Sequence, residues 1–202
     1  MNQFDHKASA WDDDPVKHAR AQAVAAGIRA MVALRPSMRA LEFGCGTGLL
    51  GFALRDEFAH LTLADNSPGM LAVLRDKIAA AGIANVAPLH FELGAGEAPA
   101  GPYDVVFSLM TLHHIADSAR ALADLHALLA PGGSLCIADL DAEDGSFHGE
   151  GFDGHNGFER STLAALAEAA GFCAVRFDTV FTMEKGARRY PLFLMVAERA
   201  AG

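Results

Sequence analysis

The sequence predicts an α/β fold, a doubly wound, seven-stranded, mostly parallel sheet with an antiparallel last strand. Short apolar runs alternate with segments of helical periodicity through most of the 202 residues, a pattern typical of a parallel sheet with helices on both faces. The last two strands have no helix between them, and a parallel crossover needs about a dozen residues or more. We therefore expect these two strands to pair antiparallel at one edge of the sheet.

The elements follow from periodicity and from helix-ending residues. We predict an N-terminal helical cap over residues 1–36, with a helix at 16–34. Strands are expected at 40–43, 61–64, 86–91, 103–108, 134–138, 172–180 and 192–198. Further helices are expected at 47–57, 68–81 and 117–129, and one more is predicted to be capped by Ser161 and ended by Gly171. The Gly/Pro-rich segment at 93–102 is predicted to be irregular, and Pro131-Gly132-Gly133 to form a turn.

Length and composition indicate one domain over residues 1–202. Hydrophobic residues make up 51% and charged residues 20%, which is ordinary globular usage. The formal net charge of −9 argues against a protein that coats nucleic acid. No apolar run reaches the ~18 residues of a membrane span, so no membrane insertion is expected. The polar N-terminus resembles no secretory signal, and three cysteines without paired spacing indicate a cytoplasmic protein.

A glycine-rich turn directly after the first strand is the strongest candidate site. Gly44, Gly46 and Gly48 give a GxGxG spacing, which lets the backbone approach a ligand, and Cys45 lies among them. Glu42 precedes the first glycine. A carboxylate there would repel a pyrophosphate and would suit a cationic ligand such as a sulfonium or an ammonium. This disfavours a nicotinamide-dependent dehydrogenase, which carries a glycine loop of another spacing.

A second carboxylate, Asp65, ends the next strand. This position places its two oxygens where the hydroxyls of a ribose would lie. A turn or capping role for Asp65 is the alternative. Residues 141–160, the longest irregular stretch, follow the fifth strand and are predicted to border the substrate at the same edge of the sheet.

Four blocks, LEFGCGTG, LTLADNSPGML, PYDVVFSLMTLHHIAD and LLAPGGSLCIADL, occur in this order over residues 41–140. They resemble the class I S-adenosylmethionine-dependent methyltransferases, which have a Rossmann-like fold. The resemblance is narrower to the small-molecule type that includes the ubiquinone/menaquinone C-methyltransferases. The opening FDHKASAWD resembles the N-terminal cap of that group. The resemblance covers nearly the whole chain, and it implies S-adenosylmethionine as cofactor and S-adenosylhomocysteine as product.

The resemblance also implies roles for matching positions. Glu42 and the Gly44–Gly48 loop would hold the methionine portion of the cofactor, and Asp65 the ribose. The remaining positions implied in cofactor binding are Trp11 from the cap, Asn66 and Met70 beside the ribose, Glu92 and Leu93 flanking the adenine, and Leu109 and His114 at the methyl-transfer site. Glu92 departs from the family, in which an Asp is more usual.

Methyl transfer needs positioning more than a covalent catalyst, so a base is required only if the acceptor must lose a proton. His114 is the first candidate and His148 the second. A metal is not expected, because adjacent histidines in an extended segment would point in different directions. The side chains that could supply ligands for such a site near one edge of the sheet are His113, His114, Asp139, Asp141, His148 and His155.

The methyl acceptor is expected to be a small molecule. The sequence SLMT after the fourth strand lacks the motif of enzymes that methylate base amino groups, and no Pro-Cys nucleophile is present for cytosine chemistry. The alternative function is that of an S-adenosylmethionine-binding sensor or a catalytically degenerate partner subunit, for which the cofactor elements would be equally suited. The oligomeric state is left open.

Overall fold

A computed structural model of the chain describes residues 4–94 and 99–202. Seven strands form one sheet in the order β3-β2-β1-β4-β5-β7-β6. The strands are β1 (Arg39–Phe43), β2 (His60–Asp65), β3 (Val86–His90), β4 (Tyr103–Leu109), β5 (Leu129–Leu140), β6 (Phe172–Lys185) and β7 (Arg188–Arg199). The helices are α1 (Pro15–Met31), α2 (Leu49–Leu54), α3 (Pro68–Ala81), α4 (Ser118–Leu128) and α5 (Arg160–Ala169).

The pairing directions confirm the predicted fold class. Strands β1 to β5 pair in parallel with their neighbours. Strand β7 runs antiparallel to both β5 and β6, and so inserts between them. The strand order reverses between β1 and β4, and the carboxyl ends of these two strands form the crevice in which sheets of this kind bind ligands.

Helices cover both faces of the sheet. Helices α1, α2 and α3 enclose one apolar cluster, which includes Ile28, Leu54 and Leu74. Helices α4 and α5 enclose another on the opposite face, with Leu125 and Leu163. These two cores hold the strands rigidly, so the loops at the carboxyl edge are positioned by a packed scaffold.

Several predicted boundaries shift. Helix α3 has the predicted bounds, with Ser67 as its N-cap and Gly82 ending it in a left-handed conformation. The α-helix expected at 47–57 is shorter in the structure. Helix α2 ends at Leu54, and a 3-10 turn follows at Arg55–Glu57. The prediction that Ser161 caps α5 is wrong: Glu159 occupies the N-cap position, and the helix begins at Arg160.

The last three strands are longer than predicted. Pro131-Gly132-Gly133 lies inside β5 rather than in a turn before it, since Leu129 already pairs with Tyr103 and a register shift follows. Strands β6 and β7 extend until only a tight turn at Gly186 separates them. Of the segment predicted to be irregular, residues 95–98 lie outside the described residues, as do residues 1–3 of the predicted cap.

Among the helices of the described ranges, none combines the length and the apolar character needed to cross a lipid bilayer.

Candidate functional site

The glycine loop between β1 and α2 adopts a backbone that favours glycine at every second residue. Gly44, Gly46 and Gly48 have φ values of 66°, 54° and 85°. A Cβ at Gly44 would lie 2.2 Å from the Thr111 side chain, so the loop packs closely against the segment after β4. A Cβ at Gly46 would meet nothing closer than Trp11 Nε1 at 3.8 Å. The loop is therefore fixed at Gly44 and leaves room for a ligand above Gly46.

Glu42, the penultimate residue of β1, has a carboxyl group that is incompletely paired. Its side chain is 2% exposed, and Oε2 has no hydrogen-bond partner. Burial raises the pKa of Glu42 well above its usual range, an effect opposed by the Gly51 N–H and reinforced by the charge of Asp65. Gly51 must be small, because a Cβ there would lie 2.7 Å from Oε2. Such a group is stabilised by a cation or a donor that reaches it.

Asp65 is the last residue of β2, the strand that pairs with β1. Its Oδ2 accepts a hydrogen bond from the Gly46 N–H at 2.7 Å, and its Oδ1 accepts one from the Ser67 N–H at 2.8 Å. Burial raises the pKa of Asp65, and these two N–H groups oppose that shift. Asp65 thus has the turn-forming role considered as the alternative. Each oxygen retains a second lone pair, so the same carboxylate can still accept from ribose hydroxyls.

The N-terminal segment closes over the glycine loop as a 3-10 helix (Asp5–Asp13). Asp12 bonds to the Thr47 hydroxyl and forms an ion pair with Lys77 at 2.7 Å. Asp5 accepts from the Ser67 hydroxyl at 2.7 Å. These contacts hold Trp11 beside Gly46, with Nε1 3.8 Å from the Cβ position of that glycine. The role of Trp11 in closing over a cofactor stays a prediction.

The other predicted cofactor residues surround the same crevice. Met70 is buried, and its Sδ lies 4.0 Å from the Cβ position of Gly46. Asn66 is exposed beside Asp65, and Leu109 is half-buried at the end of β4. Glu92 is exposed just after Phe91, whose N–H donates to the Asp65 carbonyl at 3.1 Å.

Leu93 is a further position that the resemblance implies in cofactor binding. It packs against the apolar cluster beneath α4 and α5. It also lines a cavity of about 610 Å³ beside α4, with Arg120 and Arg199 among the other lining residues. The glycine loop takes no part in lining that cavity.

A short 3-10 turn after β4 (Leu112–His114, the histidine turn) presents the two adjacent histidines. Thr111 precedes it and donates to the Gly44 carbonyl at 3.2 Å, which ties the turn to the glycine loop. His113 is 1% exposed and its Nδ1 lies 2.7 Å from Oδ1 of buried Asp139. His114 lies outside, with its ring 5.3 Å from that of Phe4.

The histidine turn changes the expectation for the two adjacent rings. An extended segment would separate them, but in the turn their centroids are 4.1 Å apart. His148, from the loop at 141–160, joins them with its centroid 4.9 Å from His113 and 6.0 Å from His114. We call His113, His114 and His148 the histidine cluster.

The surroundings of His114 and His148 favour the neutral form of both imidazoles. The pKa of His114 falls from 6.5 to about 4, first through loss of hydration and then through the proximity of His113 and His148. Burial also lowers the pKa of His148, and His113 adds to that effect. At neutral pH both rings can therefore accept a proton or bind through a lone pair.

Two residues considered for a metal site are engaged elsewhere. Both carboxylate oxygens of Asp141 pair with Arg160 at 2.7 Å. His155 directs its Nε2 to the carbonyls of Ile115 and Ala116, at 3.0 and 3.2 Å. The backbone N–H of His155 donates to the His113 carbonyl at 2.8 Å, which docks the loop at 141–160 onto the histidine turn.

Sequence reasoning missed the residues that join these parts. Thr111, Asp12 and Lys77 contact the glycine loop from three separate elements. Thr111 lies within the SLMT block, and its spacing to Gly44 gave no signal. Contacts of this kind depend on how distant segments pack, which a single sequence does not show.

The sheet order, the glycine loop and the two strand-end carboxylates together define the class I methyltransferase fold. Residues 41–135 match the protein-family model described as a methyltransferase domain. The resemblance inferred from the sequence is confirmed at this level: residues 41–135 match a methyltransferase domain, and the sheet has the class I order.

Relatives and a solved structure agree with this assignment. The chain is 37% identical to the biotin biosynthesis bifunctional protein BioCD of Bordetella avium over 147 residues, 70% of this chain and 29% of that one. It is 33% identical to a ubiquinone biosynthesis O-methyltransferase of Pseudomonas aeruginosa over 51% of this chain and 44% of that one. The chain thus spans less than half the length of these relatives.

The structural match covers more of the chain. Phosphoethanolamine N-methyltransferase 2 of Haemonchus contortus, solved in complex with S-adenosyl-L-methionine, superposes with a TM-score of 0.73 at 17% identity. The match covers 89% of this chain and 52% of that one. At this identity the likeness supports the fold.

Proposed function

We propose that the chain transfers a methyl group from S-adenosylmethionine to a small-molecule acceptor by in-line displacement. The observation that carries the proposal is the unpartnered Oε2 of buried Glu42, just before the glycine loop. A buried carboxylate oxygen without a donor is costly in a folded protein. A ligand that brings an ammonium group, as the methionine portion of this cofactor does, supplies the missing partner.

The residues present fit the cofactor along its length. Glu42 and the backbone of Gly44–Gly48 would hold the methionine end, and Asp65 would accept from the ribose hydroxyls. Trp11 and Met70 border the open space above Gly46, where a Cβ position has no neighbour within 3.8 Å. The other positions proposed to line this crevice are Cys45, Asn66, Glu92, Leu93, Leu109 and His114.

The chain's own part in the reaction is positioning and proton removal. The cofactor supplies a methyl group that its sulfonium already activates. Holding the acceptor in line with that methyl contributes up to about 7–11 kcal/mol. His114, neutral at physiological pH, would take a proton from an acceptor hydroxyl at Nε2 or Nδ1, with His148 as the second candidate.

Calorimetry with S-adenosylhomocysteine tests the cofactor assignment, with NAD as the matched control. We expect a Kd in the micromolar range, about −8 kcal/mol, and far weaker binding of NAD. Tight NAD binding without S-adenosylhomocysteine binding would contradict the proposal.

A screen of metabolites with methyl-labelled S-adenosylmethionine then separates the enzyme from a sensor or a degenerate partner subunit, which remains the second candidate. Label transferred to a small molecule supports the enzyme. Cofactor binding with no transfer to any acceptor supports the sensor.

We propose that the protein is cytoplasmic, because its three cysteines form no disulfide and two of them are buried.

A further inference from the structure

The histidine cluster has the composition of a metal site. One ligand atom from each of His113, His114 and His148 lies within 4.8 Å of the other two. Around Zn²⁺, nitrogen ligands at about 2.0–2.1 Å in tetrahedral geometry are separated by roughly 3.3 Å. The ligand atoms therefore need to approach one another by at most about 1.5 Å, which side-chain rotations can supply.

Asp139 orients the buried member of the cluster. Its Oδ1 lies 2.7 Å from His113 Nδ1 and its Oδ2 accepts from the His113 N–H at 3.2 Å. Since the carboxylate accepts, Nδ1 carries a proton, and Nε2 is the ring atom left to bind a metal. The N–H of Leu140 fixes Oδ1 further at 2.8 Å. A carboxylate behind a histidine in this way sets the tautomer of metal-binding imidazoles.

His148 contributes an independent observation, a buried nitrogen without a partner. Its Nδ1 is shielded from solvent and has no hydrogen bond. The ring stacks on Phe152 at 3.8 Å and 12°, so its orientation is held by packing. The neighbouring Phe147 N–H donates to Glu143 at 3.0 Å and its carbonyl accepts from Lys185 at 2.6 Å, which anchors this part of the loop.

We propose that His113, His114 and His148 bind one divalent transition-metal ion, with Zn²⁺ the best fit. Three imidazole ligands and no directly bound carboxylate favour zinc, cobalt, nickel or copper over magnesium or calcium, which prefer oxygen. Three protein ligands leave a fourth position for water or an acceptor oxygen.

The position of the cluster relates the ion to the methyl-transfer site. His114 is exposed and contacts Phe4, whose ring in turn lies 6.1 Å from that of Trp11 beside the glycine loop. The open position would thus lie on the acceptor side of the crevice. When the ion is bound, it replaces the free His114 imidazole as the group that faces the acceptor. The binding proposal itself does not depend on methyl transfer.

The test uses the full chain without a polyhistidine tag, stripped of metal with a chelator. Co²⁺ is titrated and followed by its visible d–d absorption, and Zn²⁺ is measured by competition. We expect one equivalent to bind with a Kd in the micromolar range or tighter. The variants His148→Phe and His114→Phe keep an aromatic ring but remove a ligand, and each should weaken binding at least about tenfold.

His60→Gln is the matched control, because His60 lies at the amino end of β2, whereas the cluster lies beyond the carboxyl ends of the strands. The metal affinity of this variant should equal that of the wild type. Far-UV circular dichroism checks folding; if one ring variant misfolds, the other decides. The proposal is overturned if the wild type shows no saturable single site, or if a folded ring variant binds as tightly as the wild type. S-adenosylhomocysteine affinity of the metal-free chain, measured separately, reports on the methyltransferase proposal alone.

Discussion

Replacing Glu42 by glutamine separates the stability of this protein from its proposed cofactor binding. The substitution keeps the size of a side chain that is 2% exposed and removes its charge. Folding raises the pKa of Glu42 above its unfolded value of 4.5. The stabilising contribution of the protonated group is therefore fully present below that unfolded value, and it is lost as the pH rises through the folded pKa.

We expect the ligand-free variant to be more stable than the wild type at neutral pH. The wild type has an incompletely paired buried carboxyl group, which costs about 1–3 kcal/mol, whereas the glutamine amide carries no charge. The gain in free energy of unfolding should shrink as the pH falls toward 4.5. Urea unfolding at several pH values measures it.

Cofactor binding should change in the opposite direction. Loss of a charged hydrogen bond to an ammonium group removes about 1.5–3 kcal/mol, a rise in Kd of roughly 10- to 100-fold. The wild type should also release a proton on binding, because a cation favours the ionised carboxylate; calorimetry in buffers of different ionisation enthalpy measures this. Glu57→Gln, which removes a partly exposed ion pair with Arg29, is the control. A Glu42→Gln protein that binds S-adenosylmethionine as tightly as the wild type, or that unfolds more readily, would refute the reasoning.

Three further changes test other parts of the site. Asp65→Ala leaves the N–H groups of Gly46 and Ser67 without their acceptor, so urea unfolding should show a loss of about 1–3 kcal/mol and calorimetry a roughly tenfold or greater loss of S-adenosylhomocysteine affinity; unchanged affinity would remove Asp65 from the ribose site. For a hydroxyl acceptor, His114→Ala in the metal-free chain should lower turnover by about 10²-fold with cofactor affinity intact, and the wild-type rate should fall as the pH drops through the pKa of about 4; full turnover of the variant would exclude a base role. Arg20→Met should leave the free energy of unfolding unchanged or raise it by up to about 1 kcal/mol, since Arg20 Nε is buried without an acceptor; marked destabilisation in thermal unfolding would contradict this.

The sequence predicted the sheet and the glycine loop well, because both depend on local signals. The GxGxG spacing requires positive φ at three positions, and Gly44, Gly46 and Gly48 have it. The Ser67–Pro68 cap placed α3 correctly. The predicted strand boundaries were wrong where pairing with other strands determines them. Strand β5, for example, begins earlier than predicted because Leu129 pairs with Tyr103.

The histidine cluster was predicted less well, because it depends on contacts between distant segments. An extended segment would point the rings of His113 and His114 in different directions, whereas the 3-10 turn brings the two rings together. The approach of His148 follows from docking of the loop at 141–160 through the His155 N–H. The role of Asp139 behind His113 likewise required the β5 geometry. No periodicity in the sequence encodes these arrangements.

The three thiols differ widely in how readily a reagent can reach them. Cys173 is exposed on the edge strand β6, whereas Cys136 is fully buried and its pKa is raised to about 12. Cys45 is buried in the glycine loop, and burial raises its pKa well above the usual range. Its side chain belongs to the apolar cluster that α1, α2 and α3 enclose, so alkylation of Cys45 requires the glycine loop to separate from that cluster. In a Cys173→Ser background, the alkylation rate of Cys45 therefore measures how often the glycine loop opens, and a bound ligand would slow that rate.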